Sequence, residues 1–167
     1  MPWHVLGKLY AVAANSRNQN LETFFDDLVR CEARLYNAVG EELRSEHGIA
    51  TSQFELLRYV RDHPGCRVAD LATNFAAGIG AISKGCDRLV VHGWIRRSPN
   101  PTDGRSSLLS LTAEGESLAA DAEATFARSL KQLIMPAVNP EQFDAAREML
   151  AALRNSLERD RVGLPIG

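Results

Sequence analysis

Basic and small polar side chains are concentrated in one stretch of the chain, from Ile79 to Thr112. The first half of this stretch is an amphipathic segment whose polar side carries Ser83, Lys84 and Arg88. Its apolar residues recur at helical spacing, which predicts one inner face made of Ile79, Ile82, Cys86, Leu89 and Val90. Lysine and arginine donate hydrogen bonds to phosphate oxygens and to guanine in the DNA major groove. The pattern predicts that this segment contacts DNA. A solvated helix face is the simpler alternative when the segment is considered by itself.

The second half of the stretch predicts a β-hairpin. Apolar residues alternate with polar ones at both ends, and residues 99–104 supply proline, asparagine, aspartate and glycine for a turn. Arg96 and Arg97 are placed at its base, with Arg105 and Ser106 at its tip. A helix followed at once by a basic hairpin is typical of a winged helix. We therefore expect these four side chains to contact DNA; a hairpin whose charges serve only solubility is the alternative.

Two features limit the amphipathic segment as a reader of base sequence. Gly80 and Gly85 lie inside it, and each costs about 1 kcal/mol of helix propensity relative to alanine. Few of its side chains can read base edges, so we expect phosphate contacts and DNA shape to supply much of the affinity. Arg88 has two equally good interpretations: contact with a phosphate, or internal pairing with Asp62 or Asp87.

The periodicity of apolar residues predicts the helices that position this stretch. The first predicted helix covers about residues 21–46. The second begins at Thr51 or Ser52, with Ser52 and Glu55 at the spacing of a capping box, and ends at Pro64. The others cover Val68–Phe75, the segment that begins at Ile79, the segment from the N-cap Thr112 to about Ile134, and the segment after Pro140. The two short helices on either side of the Ala76–Gly78 break form a helix-turn-helix. The predicted fold is mainly α with a small β-hairpin wing, a winged helix-turn-helix.

The long N- and C-terminal helices carry more apolar surface than a lobe of this size can cover, which predicts a two-fold homodimer. Phe143, Ala146, Leu150, Leu153 and Leu157 form a heptad-like seam in the last helix. Two copies would place their recognition helices about one duplex turn apart on a pseudo-palindrome. We divide the chain into an N-terminal extension (1–20), a dimerisation helix (21–50), a DNA-binding lobe (51–112) and C-terminal dimerisation helices (113–167).

Composition excludes several classes of protein. The chain has 167 residues and a net charge of -2, but residues 51–112 hold eight Lys or Arg against five Asp or Glu, so this part is basic and the remainder acidic. We see no apolar run of about 18 residues and no secretory signal, so we expect a cytoplasmic protein without a membrane partner. Phosphate-loop, nucleophile-elbow and paired-histidine motifs are missing from the sequence, so we expect neither an enzyme nor a bound cofactor or metal.

Several short motifs together resemble the MarR family of winged-helix transcriptional regulators. They are Thr51-Ser52-Gln53, Val68-x-x-Leu71-Ala72, Cys86-Asp87-Arg88-Leu89, Gly93-Trp94-Ile95-x-Arg97, Asp103-Gly104-Arg105 and Leu111-Thr112-x-x-Gly115. The resemblance covers about residues 21–160. It implies a dimeric regulator, expected to be a repressor, in which Arg105 probes the minor groove at the wing tip and Asp103 supports the wing.

The same resemblance implies control by a small molecule, with an aromatic or phenolic acid as the expected effector. Residues that could line its pocket are Tyr36, Phe54, Arg58, Arg61 and His63, although core aromatics and surface charges are the simpler interpretation of each. A urate-responsive branch of the family suggests a second set, Trp3, Asp62 and Arg88. A winged helix that binds only proteins is a further alternative.

The three cysteines are odd in number and form no CxxC pair, which predicts free thiols. Cys31 lies in the first helix near Tyr36, where some branches of the family sense peroxide, so a thiol-based regulator is a second alternative. Glu32 opposes ionisation of that thiol, and Arg30 and Arg34 partly offset it. Cys86 is expected in the core, and we assign no role to Cys66.

Overall fold

A computed structural model describes the backbone of residues 3–165 and the side chains of residues 19–165. Its elements are α1 (Trp3–His47), α2 (Thr51–Asp62), α3 (Val68–Asn74), α4 (Ile79–Val91), β1 (Ile95–Pro99), β2 (Ser107–Leu111), α5 (Ala113–Ile134) and α6 (Pro140–Arg159). β1 and β2 form one antiparallel pair. The predicted fold class, mainly helical with a small hairpin, is confirmed.

The start of the first helix differs from the prediction. α1 begins at Trp3, so residues 3–20 continue the helix rather than form a separate extension. The polar run before Leu21 weakens the apolar periodicity, but it contains no proline, and polar residues alone do not end a helix. The side chain of Trp3 lies outside the described side chains. No helix in the described range is long and apolar enough to cross a membrane.

The chain divides into two units between Ala38 and Val39. In the first unit, the apolar side chains of α1 are exposed: Leu21 by 61%, Phe24 by 38%, Phe25 by 65% and Val29 by 46%. Asp26 accepts two hydrogen bonds of 2.9 Å from Arg30, one helical turn later. The second unit contains the winged helix, α5 and α6.

Most of the core of the second unit lies inside the winged helix. Leu57, Leu71, Cys86, Leu89 and Leu109 are fully buried, one or more from each of α2, α3, α4 and β2. The predicted core position of Cys86 is confirmed. Burial raises the pKa of its thiol, which makes it a poor nucleophile.

Cys66 has a structural role that the sequence did not indicate. Its backbone pairs with β2, since Leu109 N–H donates to the Cys66 carbonyl and Gly65 N–H donates to the Leu109 carbonyl, both at 2.8 Å. The side chain is buried, and burial raises the pKa of the Cys66 thiol to about 11. The chain between α2 and α3 is thereby joined to the hairpin.

α2 begins two residues earlier than a capping box from Ser52 requires. Ala50 occupies the N-cap, and its N–H donates to Gln53 Oε1 at 2.9 Å. The predicted pairing of Ser52 with Glu55 is therefore wrong. A glutamine at the third helical position still satisfies one backbone donor at the helix start.

The packing face of α5 combines fully buried small residues with larger ones, Leu118, Phe126 and Leu130, that pack partly against the core. Ala119, Ala122, Thr125 and Ser129 are buried, while Leu133 is 41% exposed. Small side chains allow α5 to lie close to α2 and to the end of α1. There Thr125 Oγ1 donates to Glu46 Oε2, so His47 Nε2 must be the donor in its 2.8 Å contact with the same hydroxyl.

This cluster gives a prediction about pH. Hydrogen bonds from Thr125 and Arg128 hold the pKa of Glu46 below its ordinary value. Because the pKa is lower in the folded state, the contribution of Glu46 is complete at neutral pH and is lost as the pH falls through the folded pKa. We expect the unfolding free energy of Glu46→Gln to fall less steeply than that of the wild type between about pH 5 and 3. Urea denaturation across this range measures both slopes, and equal slopes would contradict the assignment.

α6 is capped well but contributes no buried residue. Asn139 and Gln142 cap each other at its start, where the Asn139 side chain accepts from Gln142 N at 2.8 Å. Leu150, Leu153 and Leu157 are each about 40% exposed. They border a groove of about 540 Å³ whose opposite side includes Phe75. The apolar seam predicted from the sequence is therefore present and mostly uncovered in the single chain.

Candidate nucleic-acid interface

The turn between α3 and α4 presents α4 to solvent. α3 ends at Asn74, and Ala76 then adopts a left-handed conformation with φ of 46°. Ala77 N–H donates to the Ala72 carbonyl at 3.0 Å, and Gly78 is the N-cap of α4. The predicted helix-turn-helix is confirmed at this turn.

The buried side of α4 is narrower than the sequence predicts. Cys86 and Leu89 are fully buried and Ile82 packs partly against them. Ile79 is 60% exposed and Val90 36% exposed, so assigning them to the inner face was wrong. Ile79 lies in the first turn, one turn before the part of α4 that reaches the core. The exposed surface of α4 therefore includes its first turn.

The polar side of α4 carries the predicted basic groups. Lys84 and Arg88 are exposed and Ser83 is half-buried. Arg88 Nε donates to the Lys84 carbonyl at 3.3 Å. Asp62 pairs with Arg61 at 3.0 Å and Asp87 with Arg97 at 2.8 Å. The two carboxylates suggested for Arg88 thus have other partners, and the internal pairing of Arg88 is not formed.

Strand alternation separates the two arginines at the base of the hairpin. Ile95 pairs with Leu111 and Arg97 with Leu109, so Arg97 shares a face with buried residues. Its guanidinium donates to Asp87 Oδ1 on α4 at 2.8 Å and to Ser107 Oγ on β2 at 2.9 Å. Arg97 therefore links α4 to the wing rather than extending freely into solvent. Its position two residues after Ile95 was the sequence signal for this role.

Arg96 lies on the outer face of the hairpin, opposite Ser110. It is exposed, and its Nε donates to Ser110 Oγ across the strands at 2.9 Å. That contact uses one of five guanidinium hydrogens and leaves the others able to donate outward. Arg96 is the basic residue of the hairpin base that faces away from the core.

The wing tip is held by hydrogen bonds around Asp103. Its carboxylate accepts from Arg105 N–H at 3.0 Å, and its carbonyl accepts from Ser106 N–H at 3.1 Å. The bond from Arg105 N–H, with a smaller contribution from Ser106, lowers the pKa of Asp103. The Arg105 side chain is exposed, whereas the Ser106 hydroxyl accepts from Asn100 Nδ2 at 2.9 Å. Of the two predicted tip contacts, Arg105 is the accessible one.

Asn100, one of the predicted turn residues, also holds the wing through its side chain. Its Oδ1 accepts from Thr102 N–H at 3.1 Å and from Thr102 Oγ1 at 2.8 Å. Asparagine before proline commonly starts such a turn, so the signal was present in the sequence. Together with Asp103 it fixes the backbone that carries Arg105.

The base of the wing is joined to α5 through Thr112. Thr112 Oγ1 donates to the Gly93 carbonyl at 2.7 Å and accepts from Gly115 N–H at 3.0 Å, as predicted for an N-cap. Thr112 N–H donates to the Trp94 carbonyl at 3.0 Å. Residues 93–94 and the start of α5 are thus in close contact, which fixes where the hairpin leaves the lobe.

The residues proposed to line an effector pocket are mostly engaged in internal contacts. Phe54 is fully buried, and the Arg58 guanidinium lies over the rings of Phe54 and Phe126 at 5.4 and 5.1 Å. Arg61 pairs with Asp62 and Glu123, and His63 stacks on Tyr59 at 4.2 Å. Tyr36 belongs to the first unit. Positions 54, 58 and 61 share the side of α2 that packs toward α5, which is why they do not face a cavity together.

The opposite side of α2 borders a cavity of about 320 Å³ shared with α4. Its lining consists of Ser52, Gln53, Glu55 and Leu56 from α2, Ala81, Ile82, Gly85 and Arg88 from α4, and Phe75. A Cβ on Gly85 would lie 2.9 Å from Leu56 Cδ1, so this glycine allows the two helices to approach closely. No pattern in the sequence indicates this cavity, because it depends on the packing of two helices that are separated along the chain.

The remaining candidate sites are the Cys31 thiol and a metal site. Cys31 is exposed on α1, in the first unit. Among the described residues, no group of three His, Cys, Asp or Glu side chains is placed to hold a metal ion.

Part of the DNA-binding lobe is similar to a known protein family. The model of the MarR family matches residues 49–107. The multiple antibiotic resistance protein MarR of Escherichia coli is 34% identical over 77 residues, 46% of this chain and 54% of that protein. The HTH-type transcriptional regulator BilQ of Clostridium symbiosum is 32% identical over 75 residues, 45% of this chain and 51% of that protein. The chain therefore spans about half the length of the curated relatives it matches.

Solved structures show the same fold over more of the chain. Wild-type apo MarR from E. coli superposes with a TM-score of 0.68 at 23% identity, over 77% of this chain and 95% of that one. A MarR family transcriptional regulator from Streptomyces coelicolor, in complex with DNA, gives 0.76 at 21% identity, over 86% and 91%. The transcriptional repressor CouR, bound to a 23-mer DNA duplex, gives 0.70 at 23% identity, over 77% and 89%. The resemblance drawn from the short motifs is thus confirmed over residues 49–107, which match the MarR family model, and the solved structures share the winged helix-turn-helix fold of this chain.

Proposed function

We propose that the protein is a transcriptional regulator that binds double-stranded DNA through α4 and the wing. The observation that carries the proposal is the exposure of Lys84, Arg88, Arg96 and Arg105 on one winged helix whose opposite sides are packed. Three solved structures with this fold are complexes with DNA, one of them with operator DNA. Basic side chains on a solvent-facing helix and hairpin match the two contacts of a winged helix, in the major groove and in an adjacent groove or on the backbone.

We infer a homodimer as the DNA-binding form. α1 in the first unit and α6 in the second each expose apolar side chains, which a monomer in water would leave uncovered. A two-fold dimer would bury these faces and present two copies of α4 to one side of a duplex. Repression follows when such a dimer occupies a promoter, and it is the direction of regulation that we propose.

The cavity between α2 and α4 supports control by a small molecule. Arg88 at its edge can pair with a carboxylate, and Phe75, Leu56 and Ile82 offer apolar contacts. An aromatic or phenolic acid has a carboxylate for Arg88 and an apolar ring for the other side chains. Binding there would engage Arg88 and press on α4, and both changes weaken a DNA contact made by α4.

In vitro selection followed by a salt titration tests DNA binding directly. We expect selection from random duplexes to yield a pseudo-palindrome, and the dissociation constant measured by fluorescence anisotropy to rise steeply with salt because neutralised phosphates release counterions. Sedimentation of the free protein and of the complex gives the number of chains. Failure to select any sequence, or binding that does not respond to salt, would reject the proposal and favour a winged helix that binds proteins.

Two variants distinguish the effector hypotheses. Phenolic acids, urate and hydrogen peroxide are each tested for release of the selected duplex. Arg88→Gln should abolish release by an acid that binds the α2–α4 cavity, whereas Cys31→Ser should abolish release by peroxide if that thiol is the sensor. Cys31→Ser is the matched control for the acid. Arg88→Gln is the control for peroxide, at protein concentrations that saturate the duplex, because Arg88 is itself a proposed DNA contact. No release by any compound would leave a constitutive regulator.

The ion pair between Arg97 and Asp87 allows a test of whether Arg97 holds the hairpin against α4 or contacts DNA directly. Arg97→Gln and Asp87→Asn break the same ion pair, so both should speed amide exchange in β1 and β2 without DNA, by roughly two- to fivefold for a pair worth up to about 1 kcal/mol. Hydrogen exchange with mass spectrometry measures this. If Arg97→Gln left hairpin exchange unchanged and weakened only DNA binding, Arg97 would instead be a direct contact.

A further inference from the structure

The first turn of α4 presents an apolar surface at the position from which a recognition helix contacts bases. Ile79 is 60% exposed, and Gly80 and Ala81 are also exposed. A Cβ added to Gly80 would meet no atom within 4 Å, so the middle of this surface is open. The buried side of the helix is formed further along, by Cys86 and Leu89.

Major-groove chemistry indicates what such a surface can recognise. The base edges in that groove carry hydrogen-bond donors and acceptors, and the one apolar group among them is the C5-methyl of thymine. Isoleucine and alanine side chains contain no hydrogen-bonding atom, so in the groove they discriminate through that methyl group. In helix-turn-helix proteins the N-terminal residues of the recognition helix are the ones that contact base edges.

We propose that Ile79 and Ala81 select thymine by packing on its methyl group, and that the absence of a side chain at Gly80 lets the helix approach the base edges. This inference rests on the proposed DNA binding and specifies bases that α4 selects. Lys84 lies five residues after Ile79 and three after Ala81. These separations are about 5 to 8 Å along the helix, or one to two base steps of the DNA. Each half-site then combines a thymine with a guanine contacted by Lys84 at that spacing.

Replacing thymine with deoxyuridine tests this directly, because it removes the methyl group and leaves every hydrogen-bonding atom in place. In the selected duplex, each half-site thymine is replaced in turn, and dissociation constants are measured for the wild type, Ile79→Ala and Ala81→Gly. Val91→Ala is the control, since Val91 is 85% exposed at the other end of α4. Thermal unfolding checks that each variant is folded.

At one or more positions, deoxyuridine should weaken binding by the wild type about fourfold, the equivalent of about 0.8 kcal/mol for one buried methyl group. The same replacement should have no further effect on Ile79→Ala or on Ala81→Gly, and its full effect on Val91→Ala. Deoxyuridine effects below about 1.5-fold at every thymine would overturn the inference, as would undiminished effects in both variants. Either result leaves specific DNA binding intact, whereas absence of a selected duplex would reject the proposed function instead.

Discussion

Gly115→Ala should lower the free energy of unfolding by roughly 3 kcal/mol or more, which is a large part of the stability of a domain of this size. A Cβ at Gly115 would overlap the Trp94 carbonyl oxygen and would lie 2.8 Å from its carbonyl carbon. Both are backbone atoms, and Thr112 N–H holds that carbonyl at 3.0 Å. No side-chain rotation can relieve the clash, so the start of α5 must move away from residues 93–94. Urea denaturation followed by circular dichroism measures the change.

Gly80→Ala is the matched control for this substitution. Both glycines lie in helices, but a Cβ at Gly80 would meet nothing within 4 Å. Alanine at this position should therefore stabilise the protein by up to about 1 kcal/mol through helix propensity alone. If Gly115→Ala cost less than about 1 kcal/mol, or if both variants changed stability equally, the close contact between Trp94 and Gly115 would not require glycine at position 115.

The elements predicted correctly from the sequence are those with strong local signals. The break at Ala76–Gly78, the turn between β1 and β2, and the Thr112 cap each depend on residues within a few positions of one another. The start of α1 was wrong because its polar residues weaken the apolar pattern but do not stop a helix. Local chemistry thus predicts the ends of elements more reliably than it predicts the length of an amphipathic helix.

The roles of individual site residues depend on contacts between distant elements. Arg96 and Arg97 are neighbours of the same type, yet pairing with β2 turns Arg97 toward Asp87 and Arg96 toward solvent. Gly85 counts as a cost in helix propensity, while the structure shows it admitting Leu56. The candidate effector residues of α2 depend on such contacts as well, because the two sides of α2 face different helices. None of these partners can be read from spacing within one helix.

Arg105→Ala should weaken DNA binding by roughly 1 to 3 kcal/mol for each wing that contacts the duplex. The hydrogen bonds of Asp103 and Asn100 fix the backbone of the tip, so the exposed Arg105 side chain extends from a rigid support. The Asp103 contact uses only the Arg105 backbone N–H, and therefore the substitution leaves the wing itself intact. Anisotropy titrations of the selected duplex at several salt concentrations give the loss and the salt slope together.

The salt slope and the sequence dependence of the loss identify which DNA group Arg105 contacts. A phosphate contact predicts equal weakening on all duplexes and a salt slope reduced by about 1 for each arginine lost. A minor-groove contact predicts a larger loss on A·T-rich flanks, where the groove is narrow and its potential more negative. Arg147→Ala removes the same charge from an exposed position on α6, so at dimer-saturating concentrations it should change neither quantity. An equal loss for Arg147→Ala would mean that net charge, rather than the wing, determines affinity, and a loss below about 0.5 kcal/mol for Arg105→Ala would remove this side chain from the interface.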